Sequence, residues 1–254
     1  MILKQWEDLP AGMRREEVRT YYESLRKKTC SLKIKRGMDL LLSVLLLVIT
    51  APVFAVIAAV IRIDSAGPVF FRQERVTQYG RIFRIYKFRT MAADSAGAGT
   101  RVTVKNDMRV TRAGKALRKY RLDELPQLLN ILAGDMTFVG TRPEVPYYVR
   151  KYQPVMRATL LLPAGVTSEA SIRFKNEEKM LERAEDADDV YLKKILPLKM
   201  AYNLRQLQRF SIRQDVRTLV RTVLEVAGSR EDAGTDSCKK DRKILLPRRR
   251  RKYG

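Results

Sequence analysis

The chain has no histidine in its 254 residues. That absence removes Ser-His-Asp hydrolases, histidine-ligated metal sites and imidazole acid–base chemistry together. Cysteine is nearly as scarce. Cys30 and Cys238 stand far apart without metal-type spacing, so neither a disulfide framework nor a zinc site is supported, and a reducing compartment fits. Acidic residues are in deficit, 28 against 51 basic, which leaves a net charge of +23. Such a balance calls for a polyanionic partner: nucleic acid, anionic lipid headgroups or a phosphate-rich substrate. The stretch from Met1 to Cys30 is charged and the apolar run comes later, so no cleavable signal is expected.

What is present suits one well-cored domain with extras, since 45% of the residues are hydrophobic. The strongest signal is the run Leu40–Ile61, which holds no charge. At a helical rise of about 1.5 Å per residue it reaches roughly 33 Å, enough to cross a bilayer core. Pro52 sits mid-run and removes one backbone hydrogen bond, favouring a kink. Basic residues flank both ends: Lys33, Lys35 and Arg36 before, Arg62, Arg72 and Arg75 after. The positive-inside tendency keeps both ends cytoplasmic. Two readings stay open at this point: a helix that enters, breaks at Pro52 and returns, or an ordinary spanning helix with a proline kink.

Ahead of the run, Arg14–Lys28 reads as a charged amphipathic helix with Val18, Tyr21, Tyr22 and Leu25 as its apolar stripe, facing either the membrane or the main domain. After it, Val69–Arg75 and Ile82–Phe88 read as two short strands around a Gly80 turn. Ala92–Thr100 is small and Gly-rich, hence a loop, and the pattern turns helical from Thr111. Asp123 is placed as an N-cap, Leu125, Leu128, Leu129 and Leu132 as one helical face, Pro126 in the first turn, and Gly134 as the stop. Glu177–Asp189 is acidic and helix-prone, Val190–Phe210 amphipathic, and Ser211–Val226 a further helix. Lys239–Lys252 carries nine basic residues and one acidic with no core pattern, a disordered tail that binds anionic lipid or keeps the protein soluble.

Groups suited to phosphate chemistry concentrate between Lys87 and Arg142. Asp123 and Glu124 are adjacent carboxylates beside Arg118 and Arg121, preceded by Lys87 and Arg89 and followed by Arg142. Arginines bind phosphate oxygens in bidentate fashion. A carboxylate pair among them can hold Mg²⁺, a hard ion that keeps substrate phosphates in its sphere. An ionised carboxylate can attack phosphorus and form an acyl phosphate. The bland alternative is that Asp123 only caps a helix.

Four segments in order after the apolar run narrow the choice: Gly67-Pro68-Val69-Phe70-Phe71-Arg72-Gln73-Glu74-Arg75-Val76, Tyr86-Lys87-Phe88-Arg89-Thr90-Met91, Arg121-Leu122-Asp123-Glu124-Leu125-Pro126-Gln127-Leu128 and Gly140-Thr141-Arg142-Pro143-Glu144. In these the chain closely resembles the bacterial sugar transferase family, the monotopic phosphoglycosyl transferases, over roughly Lys35–Val226. The resemblance implies a re-entrant membrane helix broken at Pro52, a UDP-sugar donor, polyprenol phosphate as acceptor and Mg²⁺ as cofactor. It implies that Asp123 attacks the donor's β-phosphorus and releases UMP, and that the lipid phosphate then takes the phosphosugar from the enzyme. Glu124 would bind Mg²⁺ with Asp123 or assist the acceptor; Arg118 and Arg142 would hold donor phosphates; Lys87, Arg89 and, more weakly, Asp215 match further family positions.

Three departures stand out. Ala51-Pro52 replaces the family's frequent Ser-Pro, with Thr50 able to bond back to a carbonyl. Thr77 replaces a frequent glycine, read as a harmless turn change. Pro163–Ser168 lacks the Gly-Trp motif of many relatives, in a region expected to help choose the sugar.

The expected architecture is a helix-rich α/β monotopic membrane protein with a small β-hairpin. Its parts are an amphipathic segment (1–32), a re-entrant helix (33–64), a catalytic domain (65–227) on the cytoplasmic face of the inner membrane, and a basic tail (228–254). No nucleic-acid partner is expected, and a homodimer is left open. The rival from another class is a membrane-anchored basic protein that binds nucleic acid or anionic lipid without catalysis; it explains the charge but not the ordered motifs.

Overall fold

The computed structural model describes residues 3–92, 109–175, 177, 181 and 186–228. All but Ala92 of the loop expected over Ala92–Thr100, most of the acidic stretch, Cys238 and the basic run Lys239–Lys252 fall outside the described residues.

A first helix, α1 (Glu16–Arg26), buries Val18, Tyr22 and Leu25 and leaves Tyr21 partly covered. Its apolar stripe therefore faces the protein. Leu9, Met13 and these residues share one core with Tyr148, Val149, Leu161, Leu196 and Met200 from much later in the chain. Trp6 and Tyr22 meet edge to face at 5.1 Å. The N-terminal segment is thus built into the main domain.

Next comes α2 (Thr29–Asp64), a single helix that continues through Pro52, where the proline favours a kink. Thr50 donates its hydroxyl to the Leu46 carbonyl at 2.6 Å, a back-bond that bends helices slightly. The buried positions are Leu32, Lys35, Asp39 and Ser43 in the first half and Ile57 and Ile61 in the second. Between them the helix shows apolar side chains outward: Leu41 is 74% exposed and Val48 70%. Only 11% of its most apolar stretch is buried, so it is no soluble-core helix but one long and apolar enough to cross a membrane.

The hairpin forms as its sequence suggests. Strands β1 (Phe70–Val76) and β2 (Ile82–Phe88) pair antiparallel from Phe70↔Phe88 to Val76↔Ile82. Gly80 takes a left-handed φ of 79°, the conformation that the turn needs and glycine supplies freely. Thr77 is more than a turn change: its hydroxyl donates to Asp135 O at 2.5 Å and accepts from Ala164 N at 3.1 Å. The hairpin turn is thereby tied to a second sheet, in which β3 (Met136–Val139) and β4 (Ala164–Thr167) run parallel.

Short helices α3 (Arg112–Lys119), α4 (Gln127–Ala133), α5 (Pro146–Arg150) and α6 (Glu169–Arg173) surround the sheets. Asp123 is not the N-cap of α4; it sits in a separate 3-10 turn, Leu122–Glu124, and Pro126 occupies the cap position. The buried face of α4 carries Leu128 and Ile131, while Leu129 points outward. Gly134 ends the helix at φ 87°, as expected. A short helix, α7 (Ala187–Val190), runs through a wider turn into α8 (Leu196–Gln208). The last helix, α9 (Ile212–Ala227), starts at Ser211, whose hydroxyl accepts from Gln214 N.

Polar side chains fasten α2 to this body. Lys35 Nζ donates to Asp215 Oδ2 at 2.5 Å and to Val139 O at 2.9 Å. Asp39 accepts from the Thr137 hydroxyl at 2.6 Å and from Phe138 N. Arg36 donates to Ile131 O and Leu132 O at the C-terminus of α4, where a cation is favoured. At its other end α2 is capped by Arg89, which donates to the carbonyls of Ser65 and Ala66.

The Lys35–Asp215 pair is nearly solvent-free, with side chains 6% and 12% exposed. Removing one partner strands a buried charge. Lys35→Met is expected to destabilise the protein by about 3–5 kcal/mol, seen as a lower Tm in neutral detergent. Adding Asp215→Leu should restore most of the loss; a double variant no better than the single one contradicts the pairing.

Candidate active site

The hairpin reaches the Asp123-Glu124 turn through a buried amide. Asn130 on α4 accepts from Tyr86 N at 2.9 Å and donates to Arg84 O at 3.0 Å. This clamp holds β2 against the helix that follows the two carboxylates, so Lys87, one residue beyond Tyr86, projects over them. Lys87 Nζ lies 3.1 Å from Glu124 Oε1 and 3.9 Å from Asp123 Oδ2.

Arg142 arrives from the opposite side, on the loop that leaves β3. Gly140 and Gly165 cross here with their backbones in contact. A Cβ on Gly165 would lie 2.2 Å from Gly140 N, so only glycine fits. Gly165 N donates to Thr141 O at 2.8 Å and Arg142 Nη1 to Val166 O at 3.1 Å. The guanidinium forms a forked contact with Glu124: Nη1 donates to Oε2 at 3.1 Å and Nη2 to Oε1. Behind it, buried Glu144 accepts from Tyr191 OH at 2.5 Å, and Lys199 Nζ joins at 2.9 Å from that hydroxyl. Burial, with Glu144 adding to it, raises the Tyr191 phenol well above its ordinary value.

Arg118 borders the pair from α3. Its Nε donates to the Thr90 hydroxyl at 3.0 Å, and its charge acts on Asp123. The helix comes this close because Gly114 lies against Thr90, where a Cβ would sit 2.2 Å from the carbonyl oxygen.

These contacts divide two adjacent carboxylates. Burial alone would raise Glu124, but Arg142 and Lys87 outweigh it and hold its carboxyl well below the usual range. Burial pushes Asp123 up, Lys87 pulls it part of the way back, and the Glu124 charge adds to the rise. Burial also lowers the Lys87 ammonium, against the pull of Glu124. Both Glu124 oxygens are thus engaged by cations, while Asp123, 8% exposed, has Lys87 no nearer than 3.9 Å. The arrangement leaves Asp123 as the less fully compensated of two buried carboxylates among three cations.

Of the residues singled out in the sequence, Lys87, Asp123, Glu124 and Arg142 converge, and Arg118 adjoins them. Arg89 and Asp215 are instead engaged at the two ends of α2, and Pro52 lies within that helix. Asn130, Thr90 and Glu144 were not singled out. Glu144 was visible in the Arg142-Pro143-Glu144 motif; an asparagine amid leucines on a short helix was the signal for Asn130.

A family model described as bacterial sugar transferase matches residues 30–229. A UDP-N-acetylgalactosamine-undecaprenyl-phosphate N-acetylgalactosaminephosphotransferase of Aeromonas hydrophila is 36% identical over 203 residues, covering 78% of this chain and 45% of the relative. A UDP-glucose:undecaprenyl-phosphate glucose-1-phosphate transferase of Klebsiella pneumoniae is 33% identical over 195 residues, covering 75% and 39%. An exopolysaccharide production protein of Rhizobium leguminosarum is 45% identical over 112 residues, covering 44% and 56%. The chain spans less than half the length of the first two relatives.

The glycine crossing that places Arg142 can be tested alone. Gly165→Ala should lower stability by about 1–3 kcal/mol through overpacking, measured as a fall in Tm. Gly37→Ala on α2, where a Cβ meets nothing within 4 Å, should be neutral or stabilising. Equal effects of the two substitutions would contradict the close approach.

Proposed function

Because this chain belongs to the bacterial sugar transferase family, we propose that it moves a sugar-1-phosphate from a UDP-sugar to polyprenol phosphate at a membrane, releasing UMP. The observation that carries the reading is the partition of charge at Asp123-Glu124. Glu124 is committed to Arg142 and Lys87, and Asp123 is left with an oxygen to offer phosphorus.

In the first step an Asp123 oxygen attacks the donor's β-phosphorus. The bond from that phosphorus to the bridging oxygen breaks, and its electron pair leaves with UMP. In the second step an oxygen of the lipid phosphate attacks the same phosphorus. The bond to Asp123 breaks, the carboxylate is regenerated, and the lipid-diphosphate sugar departs. Arg118, Arg142 and Lys87 face the negative oxygens throughout and stabilise the charge that builds up in transfer.

Mg²⁺ suits this donor set. Among the described residues no cluster of three or more ligating side chains exists, and Mg²⁺ needs none, being held by one or two carboxylates plus substrate phosphates. Asp123 would hold it together with the lone pair that Arg142 leaves over on Glu124 Oε2, and when bound it would neutralise donor phosphate charge.

The re-entrant topology draws support from the anchoring of α2. Residues before it (Leu9, Val18, Leu25) and after it (Val76, Val149) lie in one core, so both flanks belong on the same side of the bilayer. The excess of lysine and arginine around the run makes that side the cytoplasm.

Topology is checked by cysteine labelling in intact cells with an impermeant maleimide, in a Cys30→Ser/Cys238→Ser background. Glu16→Cys and Lys193→Cys should both stay unlabelled until the cells are permeabilised. Labelling of one alone contradicts re-entry.

Turnover is read as UMP release with a UDP-sugar panel, polyprenol phosphate and Mg²⁺; EDTA should abolish it, and full activity in EDTA removes the metal. The ionised Asp123 is lost as pH falls through its raised pKa, so the acid limb should lie above the ordinary aspartate value. Lys87 lowers that pKa, so Lys87→Met should move the limb to higher pH. A limb that stays in place assigns it to another group.

A further inference from the structure

We infer that α9 carries a second anion site, for the headgroup phosphate of an anionic phospholipid, apart from the Asp123 cluster. A cavity of about 350 Å³ opens beside this helix, lined by Arg209, Arg213, Arg217 and Arg221 with Glu169 and Thr218. None of its lining residues belongs to the Lys87–Asp123–Glu124–Arg142 group. Arg213, Arg217 and Arg221 recur every fourth residue, so they form one ridge along the helix. Among the described residues none of the four guanidiniums has a carboxylate partner, and Glu169, the acidic residue in the lining, is engaged by Arg173 at 3.5 Å. The cavity therefore holds a surplus of positive charge without a counterpart among the described residues.

The adjoining face of the same helix tells which anion fits. Val216, Val220, Val223 and Leu224 are 43%, 53%, 65% and 63% exposed, and their spacing places them in a stripe next to the arginine ridge. On the face beside the stripe, α9 meets α2. Asp215, in the first turn of α9, is paired with Lys35 of α2. One turn on, Leu219 packs against the same cluster as Leu42, Leu46 and Leu47 of the apolar run. An apolar stripe at that level meets acyl chains, and arginines at its edge extend their charged heads toward the phosphate layer. Free phosphate would use the arginines and leave the stripe bare; a phospholipid satisfies both. The inference rests on the membrane reading of α2.

The full chain is reconstituted in phosphatidylcholine vesicles, with Val220→Trp as reporter and the Trp6 background subtracted from the parent. Brominated acyl chains should quench the reporter, and brominated phosphatidylglycerol should quench more than the same fraction of brominated phosphatidylcholine. Three charges near a membrane surface should together favour the anionic lipid by roughly tenfold or more. Arg213→Gln/Arg217→Gln/Arg221→Gln should abolish that preference, and the corresponding lysine triple should keep most of it. If the glutamine triple does not incorporate, the preference of the intact ridge and its loss at high salt decide the matter. Equal quenching by both lipids in the intact protein overturns the site. So does a preference erased by millimolar inorganic phosphate, which makes the cavity a free-anion site. Failure of the parent chain to float with phosphatidylcholine vesicles would instead fall on the membrane reading.

Discussion

A helix whose middle is made for lipid must still be fastened at both ends to a body made for water. Lys35 and Asp39 do this at one end of α2, reaching Asp215, Val139, Thr137 and Phe138. Arg89 does it at the other, by taking up the carbonyls that the helix end leaves without partners. The two anchors also set the candidate active site. The strand held by Asp39 runs directly into the loop that carries Arg142. The residue that caps the far end lies two positions after Lys87. Helix α2 thereby positions the two cations that close on Glu124.

From that geometry follows the unequal state of two neighbouring carboxylates. Like charges this close cannot both be accommodated in a buried turn unless cations compensate. Arg142 and Lys87 compensate Glu124 first, leaving Asp123 as the group whose charge is answered only in part. A phosphate group that brings its own negative oxygens to Arg118 and Arg142 would find in Asp123 a nucleophile that the protein has not already neutralised. Asp123 does not cap α4 but sits in a local turn among side-chain cations, and those cations rather than a helix end set its charge.

Much of this was legible in the residue pattern. The hairpin showed itself through β-prone runs around Gly80, α1 through its 3.6-residue stripe, and the site through four motifs in order. The parallel pair β3–β4 was not, because strands of four residues, buried throughout in β3 and nearly so in β4, show no alternation. Lys35 was read as a membrane-flanking cation, although it is a buried partner of Asp215: a charge beside an apolar run looks the same in sequence whether it meets headgroups or a carboxylate 180 residues away. Arg89 shares a motif with Lys87, yet it lies past the end of β2 and turns to the helix terminus. For Thr77, the cue was a departure from the family's glycine, and only the tertiary fold shows which two backbone groups its hydroxyl joins.

The proposed transfer requires a covalent bond between Asp123 and phosphorus. Its most direct measurement is a rapid quench of the enzyme with UDP-sugar and no lipid acceptor, followed by mass spectrometry of the peptide that contains Asp123. The account predicts UMP in a burst of at most about one equivalent per enzyme, a phosphosugar adduct on Asp123 that hydroxylamine removes, and neither in Asp123→Asn. UMP that appears only when polyprenol phosphate is added, with no adduct trapped at Asp123, would contradict it and leave direct displacement as the mechanism.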